Sequence, residues 1–353
     1  MCQQSLQALT HVSHAQIDEG ELRVSLDFTL IFRILIFPGF TFILLLTMFC
    51  DWVERKIEAR MQNRIGPMYT GPAGVLQPLA DFIKLLIKED IVPFNVRNFV
   101  FKFAPIISLS FFIFSFVFLP IDGANIIFDS CFEGDLILVL TLVSIANFLL
   151  FLSGWSSTNP YSVIGATRVL TQLTAYDIPL FILALAPAFL AGSLSISTIV
   201  SRQHIPFALM IPWAFALFIV ALQAELEKDP FDVPHAETEI VAGYETEYTG
   251  RRLAFLKLAK DVQIVLGAAI AVELFLGGPH GPVFYGSSAF WCTLWFTFKL
   301  LVVIAFTEYL TCIFARLRID QVLSVNWRLL LPLSLLSLAA AAGVSLWLNP
   351  LWR

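Results

Sequence analysis

Between residues 225 and 247 the chain carries eight acids: Glu225, Glu227, Asp229, Asp232, Glu237, Glu239, Glu245 and Glu247. Lys228 is the one lysine or arginine among them. Pro230 and Pro234 exclude a continuous helix there. Phe231, Val233, Ile240, Val241 and Tyr244 alternate with the acids, which a purely solvated face would not need. Carboxylates clustered in a partly apolar setting raise one another's proton affinity, so this stretch is suited to exchanging protons near neutral pH. A solvated charge run is the plainer alternative. A calcium loop is the weaker one, because the spacing is not that of an EF-hand.

No other spacing offers cofactor chemistry. The five cysteines (Cys2, Cys50, Cys131, Cys292, Cys312) stand alone, and the five histidines show no ligand pattern. Neither a zinc site nor an iron–sulfur cluster is expected. The chain alone is therefore expected to bind no cofactor and to catalyse nothing.

The elements that must position the acids are membrane spans. Of 353 residues, 58% are hydrophobic and 14% charged, far from the balance of a soluble domain and opposite to that of a disordered one. A net charge of −5 implies no nucleic-acid partner. A bilayer crossing needs about 20 apolar residues. Eight windows qualify, near 28–50, 99–119, 135–153, 176–200, 206–224, 261–278, 290–313 and 329–349. The expected fold is an all-α polytopic membrane protein with about eight transmembrane helices. Residues 1–27 lack a basic n-region and a cleavage pattern, so they read as an external tail rather than a signal peptide. Residues 28–353 read as one integral membrane domain. The loops after spans 1, 3, 5 and 7 hold sixteen of the 22 lysines and arginines. That asymmetry puts these loops in the cytoplasm and both termini outside, in a cytoplasmic (inner) membrane.

Ionisable residues within a span cost roughly 2.5–3.5 kcal/mol each, so each is a functional candidate. They are Arg33, Asp177, Glu225, Asp261, Glu273, Lys299 and Glu308. Asp177 and Glu225 fall at the inner ends of their windows, where simple interfacial placement is the alternative. Nine residues separate Lys299 from Glu308, which puts them on opposite helix faces. Each must meet groups on other helices, or water.

The loop 51–97 carries its own pattern. Val75, Leu76, Leu79, Phe82, Ile83 and Leu86 form one face, while Gln77, Asp81, Lys84 and Lys88 form the other, as in an amphipathic helix. It either lies on the membrane interface or supports a docking surface for soluble subunits, and the two are compatible. The three acids mixed into DWVERKIEARMQNRIGP point to partner contacts, which basic flanking residues alone would not.

These segments resemble a known family. WVERKIEARMQNRIGPMYTGPAGVLQPLADFIKLLIKED (52–90), GWSSTNPYSVIGATRVLTQLTAYDIPL (154–180), the acidic loop through EYTG, FLGGP (275–279) and RLRIDQVLSVNWRLLLPLSL (316–335) are similar to subunit 1, also called the H subunit, of respiratory complex I. The resemblance implies eight spans at the heel of a membrane arm, much of a quinone tunnel, and an acidic path toward pump modules. Docking and quinone-cavity roles would fall on Glu54, Arg55, Arg64, Asp81, Lys84 and Arg168. Proton-path roles would fall on Glu225, Asp232, Glu237, Glu239 and Glu247, joined by the in-span residues Asp177, Asp261, Lys299 and Glu308. Implied partners are the hydrophilic-arm subunits with iron–sulfur clusters, antiporter-like membrane subunits and the lipid bilayer.

Departures from the respiratory form point to a branch. ETNRAPFD and PEAE are replaced by ELEKDPFD and PHAE, so His235 stands for a carboxylate. Lys260 stands for a glutamate, Asp177 for another, and RIDQ for RYDQ. These choices look more like the homologous subunit of membrane-bound nickel–iron hydrogenases and their sulfur-reducing relatives, which need no quinone tunnel; in the hydrogenases a partner carries a nickel–iron centre. The competing functions are a quinone-binding subunit of the respiratory form, a stand-alone ion transporter, and a passive anchor. An inverted repeat would favour the transporter, and the two long inner loops share no pattern. An anchor would not explain Lys299 or the acidic cluster.

Overall fold

A computed structural model describes residues 28–94, 96–123, 133–282 and 288–348. The expected tail 1–27 and most of the loop 120–134 lie outside the described residues. Every element among those described is helical.

Two pieces make the first span. α1 (Phe28–Leu35) and α2 (Phe40–Met61) meet at Pro38 and Gly39 and continue as one 30-residue apolar crossing from Phe32 to Met61. α3 (Gln77–Ile87) is the expected amphipathic helix, with Pro78 at its start. It lays Phe82 toward α2 and the later helix α11 (Gly250–Phe275), and turns Leu79, Ile83 and Ile87 outward. α4 (Asn98–Ser115), α5 (Asp135–Ser156) and α6 (Pro160–Ala191) then pack side by side.

The expected span 176–200 is corrected. Its helix begins sixteen residues earlier, at Pro160, and runs 32 residues to Ala191. Asn159 caps it by accepting a hydrogen bond from the Tyr161 amide at 3.0 Å. Gly192, in the left-handed region, ends it. The first half is too polar to register as a span. As a result Arg168, expected in a loop before the span, sits on the helix itself.

Two further windows are also corrected. Window 206–224 becomes α8 (Phe207–Met210) and α9 (Pro212–Glu225), separated because Ile211 departs from helical geometry before Pro212. At 14 residues, α9 is about 21 Å long and too short to cross alone. Window 261–278 is the rear of α11 (Gly250–Phe275), a 26-residue helix whose charged head takes up the end of the expected loop 225–260. Six helices among the described residues are long and apolar enough to cross a membrane. They include α12 (Ser288–Ile313) and the final crossing, α13 (Ile319–Val325) joined to α14 (Leu331–Leu348) by a π-turn at Asn326–Leu330. α7 (Ile196–Ser201) and α10 (Glu237–Ile240) are short turns of helix.

The rear half of α11 is the hub. Nearly every residue from Val262 to Phe275 is buried, and the helix packs against α2, α4, α9 and α12. Its small residues Gly267, Ala268, Ala269 and Ala271 let neighbouring helices approach closely. The hub places Asp261 and Glu273 in the interior.

Candidate functional site

The acidic loop folds back into the bundle instead of extending from it. Phe231, Val233, Ile240, Tyr244 and Tyr248 are buried, which is why apolar residues alternate with the acids. Gln172 on α6 donates to the carbonyls of Ala224 and Phe231 at 2.7 and 2.9 Å. Gly165 lets α6 touch the Gly243–Tyr244 backbone, since a Cβ there would stand 2.7 Å from the Tyr244 nitrogen. Tyr248 stacks on Phe101 with ring centroids 4.1 Å apart.

Three charge clusters follow. In the first, the Lys228 ammonium donates to Glu54 at 2.9 Å and to Glu308 at 3.0 Å, tying the loop to α2 and α12. All three side chains are at most 14% exposed. Burial works against the Lys228 charge, but the two carboxylates outweigh it and hold the ammonium above its ordinary range. Asp261 belongs to the same neighbourhood, within the electrostatic reach of Asp51, Glu54, Arg55 and Lys228.

In the second, Glu227 accepts from Lys260 at 2.5 Å and faces His235 Nε2 at 3.3 Å. Burial pushes the Glu227 carboxyl up, but Lys260 and His235 overcome it and hold it at about 2. Burial likewise pulls His235 down, and the Glu227 contact more than reverses this, leaving it above its ordinary 6.5. So the two replacements noted in the sequence, His235 and Lys260, form one unit around a glutamate.

In the third, Arg55 bridges Asp51 at 2.9 Å and Asp81 at 2.7 Å, and Lys84 meets Asp81 at 3.1 Å. Burial raises the Asp81 carboxyl, and the bonds from Arg55 and Lys84 reverse this to a net lowering. Members of the second and third clusters, together with Asp261, line a cavity of about 280 Å³ between α2, α3 and α11, among them Asp51, Arg55, Asp81, His235 and Lys260.

Deeper in the bundle, Glu225 at the end of α9 accepts from the Asn147 amide of α5. Its carboxyl also hydrogen-bonds that of Asp177, which in turn meets Ser144. Glu225 is buried within the bundle, at 7% exposed. Two carboxyl groups in such contact influence each other strongly.

The remaining predicted residues lie apart. Arg168 reaches Glu239 at 2.7 Å and the Val233 carbonyl at 3.3 Å. Asp232 pairs with Arg316, and Glu247 accepts from Asn159 at 2.5 Å. These bonds fasten the loop. Arg64 pairs with Glu58 at 3.0 Å beside an open cavity of about 800 Å³. Glu237 starts α10, and its side chain lies outside the described residues. Lys299 lies apart from these, at the other end of α11, where its ammonium meets the carbonyls of the turn after Phe275.

Sequence reasoning missed Asn147, Gln172 and Glu227 as partners. A lone amide within an apolar run was the available signal, since a buried polar group must find a partner. It also missed Arg252, which pairs with Asp90 at 3.2 Å and lies over the Phe101 ring. Among the described residues no three His, Cys, Asp or Glu side chains are grouped to hold a metal.

A pH dependence follows from the second cluster. A raised His235 stabilises the fold fully below 6.5 and loses that contribution as pH climbs through its folded value. A depressed Glu227 contributes above its ordinary 4.5 and loses that as pH falls toward about 2. The difference in thermal midpoint between the wild type and His235→Gln should therefore shrink as pH rises past neutral. A difference independent of pH would refute the pairing.

Apolar helices long enough to cross a bilayer, packed around a charge-lined cavity, define an integral membrane protein. A family model described as NADH dehydrogenase matches residues 34–342. The H subunit of NADH-quinone oxidoreductase from Dehalococcoides mccartyi strain CBDB1 is 38% identical over 303 residues, covering 86% of this chain and 84% of that protein. Its namesake from Thermomicrobium roseum is 38% identical over 324 residues, covering 85% and 91%. That of Carboxydothermus hydrogenoformans is 34% identical over 295 residues, covering 83% of each. The chain belongs to the NADH dehydrogenase family, that of subunit 1 of complex I.

Proposed function

We propose that this chain is the heel subunit of an ion-translocating oxidoreductase of the complex I superfamily, coupling redox chemistry in docked subunits to proton movement. The observation that carries this reading is the placement of ionisable groups. Asp261 lines the cavity with the Lys228 triad beside it, and the carboxyls of Glu225 and Asp177 meet one helix deeper. Buried groups of this kind cost stability and are kept where charge must move. The proton-path roles fall on Asp261, Glu308, Glu225 and Asp177. Arg168, Asp232, Glu239 and Glu247 hold the loop, and the ends carrying Arg55, Arg64, Asp81 and Lys84 face the hydrophilic subunits on the cytoplasmic side. The basic loops 51–97 and 225–260 would then lie inside, with both termini outside.

The sequence departures favoured a hydrogenase branch, and the three relatives above, each named as a subunit of NADH-quinone oxidoreductase, lend it no support. Quinone chemistry suits the cavity between α2, α3 and α11, whose wall mixes Met48, Phe82, Leu85 and Ile264 with charges. Gentle purification with identification of the co-purifying subunits, together with photo-crosslinking by a quinone analogue, tests both. Crosslinks at Phe82 or Leu85 support the quinone reading. A nickel-bearing large subunit without crosslinks would return the hydrogenase branch, and a chain that purifies alone would overturn the proposal.

A further inference from the structure

The end of α11 away from the acidic loop holds a second polar group that the cavity and its clusters do not use. Glu273 is 1% exposed, and neither carboxyl oxygen has a hydrogen-bond partner. The helix ends two residues later, and the following turn directs the carbonyls of Leu276, Gly278 and His280 at the Lys299 ammonium, at 2.8, 2.9 and 2.7 Å. Lys299 is the charge that acts on Glu273, yet its ammonium contacts the carbonyls and not the carboxyl. Glu273 packs against Gly278, whose φ is +48° and whose missing Cβ leaves it room. Gln203 donates to the carbonyls of Glu273 and Leu274 at 2.8 and 3.1 Å, while its own buried Oε1 also lacks a partner.

A lysine on the free carbonyls of a helix end is a common cap, and that accounts for Lys299. It leaves Glu273 unexplained. A leucine would fill the same space without the cost of burying an unpaired carboxyl.

We propose that Glu273 is a proton-exchanging carboxyl at this end of the bundle, with Lys299 as its movable counter-ion. In the observed state Glu273 carries its proton and Lys299 caps the turn. In the second state the Glu273 O–H bond has broken and the proton has passed to solvent past the exposed stretch His280–Pro282. Lys299 has then swung from the carbonyls to the carboxylate, a movement its flexible four-carbon stem permits. The other titratable or charged groups facing this end are His280 on the turn, and Arg202 and His204 on the segment before α8. Arg202 is bonded to the Ala191 carbonyl, and His280 feels both Lys299 and His204. α7 carries no charged residue, and α9 presents Phe215 and Phe218 to Phe275. Glu273 lies twelve residues beyond Asp261, about 18 Å along the helix. The site therefore extends beyond the proposed relay and is tested without it.

Infrared difference spectroscopy on the purified full-length chain, wild type against Glu273→Gln, reads the proton directly. A protonated-carboxyl band that shifts in D₂O and vanishes as pH rises is expected. In Lys299→Met, where the counter-ion is gone, the band should persist to a proton concentration at least tenfold lower. If Glu273→Gln does not fold, labelling of wild-type Glu273 by a hydrophobic carbodiimide, read by mass spectrometry, replaces it and should fall over the same pH rise. A band that neither exchanges nor titrates, one unmoved by Lys299→Met, or labelling suppressed by sodium at constant pH would overturn the proposal.

Discussion

Replacing Lys228 with Met is expected to destabilise the folded chain by about 3–5 kcal/mol, the usual cost of removing one member of a buried ionic set. The lysine bridges Glu54 and Glu308, from α2 and α12. Without it two carboxyl groups face each other across the bundle with no compensating charge. Heat or denaturant unfolding in detergent measures the loss. Neutralising the partners as well, in Lys228→Met with Glu54→Gln and Glu308→Gln, should recover most of it, because the cost is that of uncompensated charge and not of lost packing. A single variant within about 1 kcal/mol of the wild type would mean that solvent reaches the triad and that α2 and α12 are held by apolar contact alone.

Glu225→Gln is expected to do the reverse, sparing the fold and damaging function. Gln keeps the oxygen that accepts from Asn147 and removes the titratable carboxyl beside Asp177. In vesicles containing the assembled complex, ions moved per electron should drop by about tenfold or more, while stability changes by no more than about 1 kcal/mol. Glu245, a further acid of the same loop, would be the natural control from sequence. It lines the cavity, so Glu89, exposed just past the end of α3, serves better. Undiminished translocation in Glu225→Gln would reduce the Asp177 contact to a structural one.

Composition and window length were enough to establish the class of the molecule, because a bilayer leaves few options. Backbone groups must be bonded within each span, so long apolar windows dictate helices. The amphipathic period of 75–89 likewise predicted α3, and the charges inside spans marked Asp177, Glu225, Asp261 and Glu308. The broken window at 206–224 and the early start at Pro160 were not legible, since hydropathy measures the side chains and not where the backbone kinks or caps. Partnership was settled by long-range packing. Lys228 looked like a lone base in an acidic loop, but Gln172 and Gly165 draw that loop inward and place it between Glu54, 174 residues away, and Glu308, 80 residues away. Glu227 and Asn147 gained importance the same way. Burial converts a weak surface charge into a strong constraint, and burial of a loop depends on which distant helices happen to cover it.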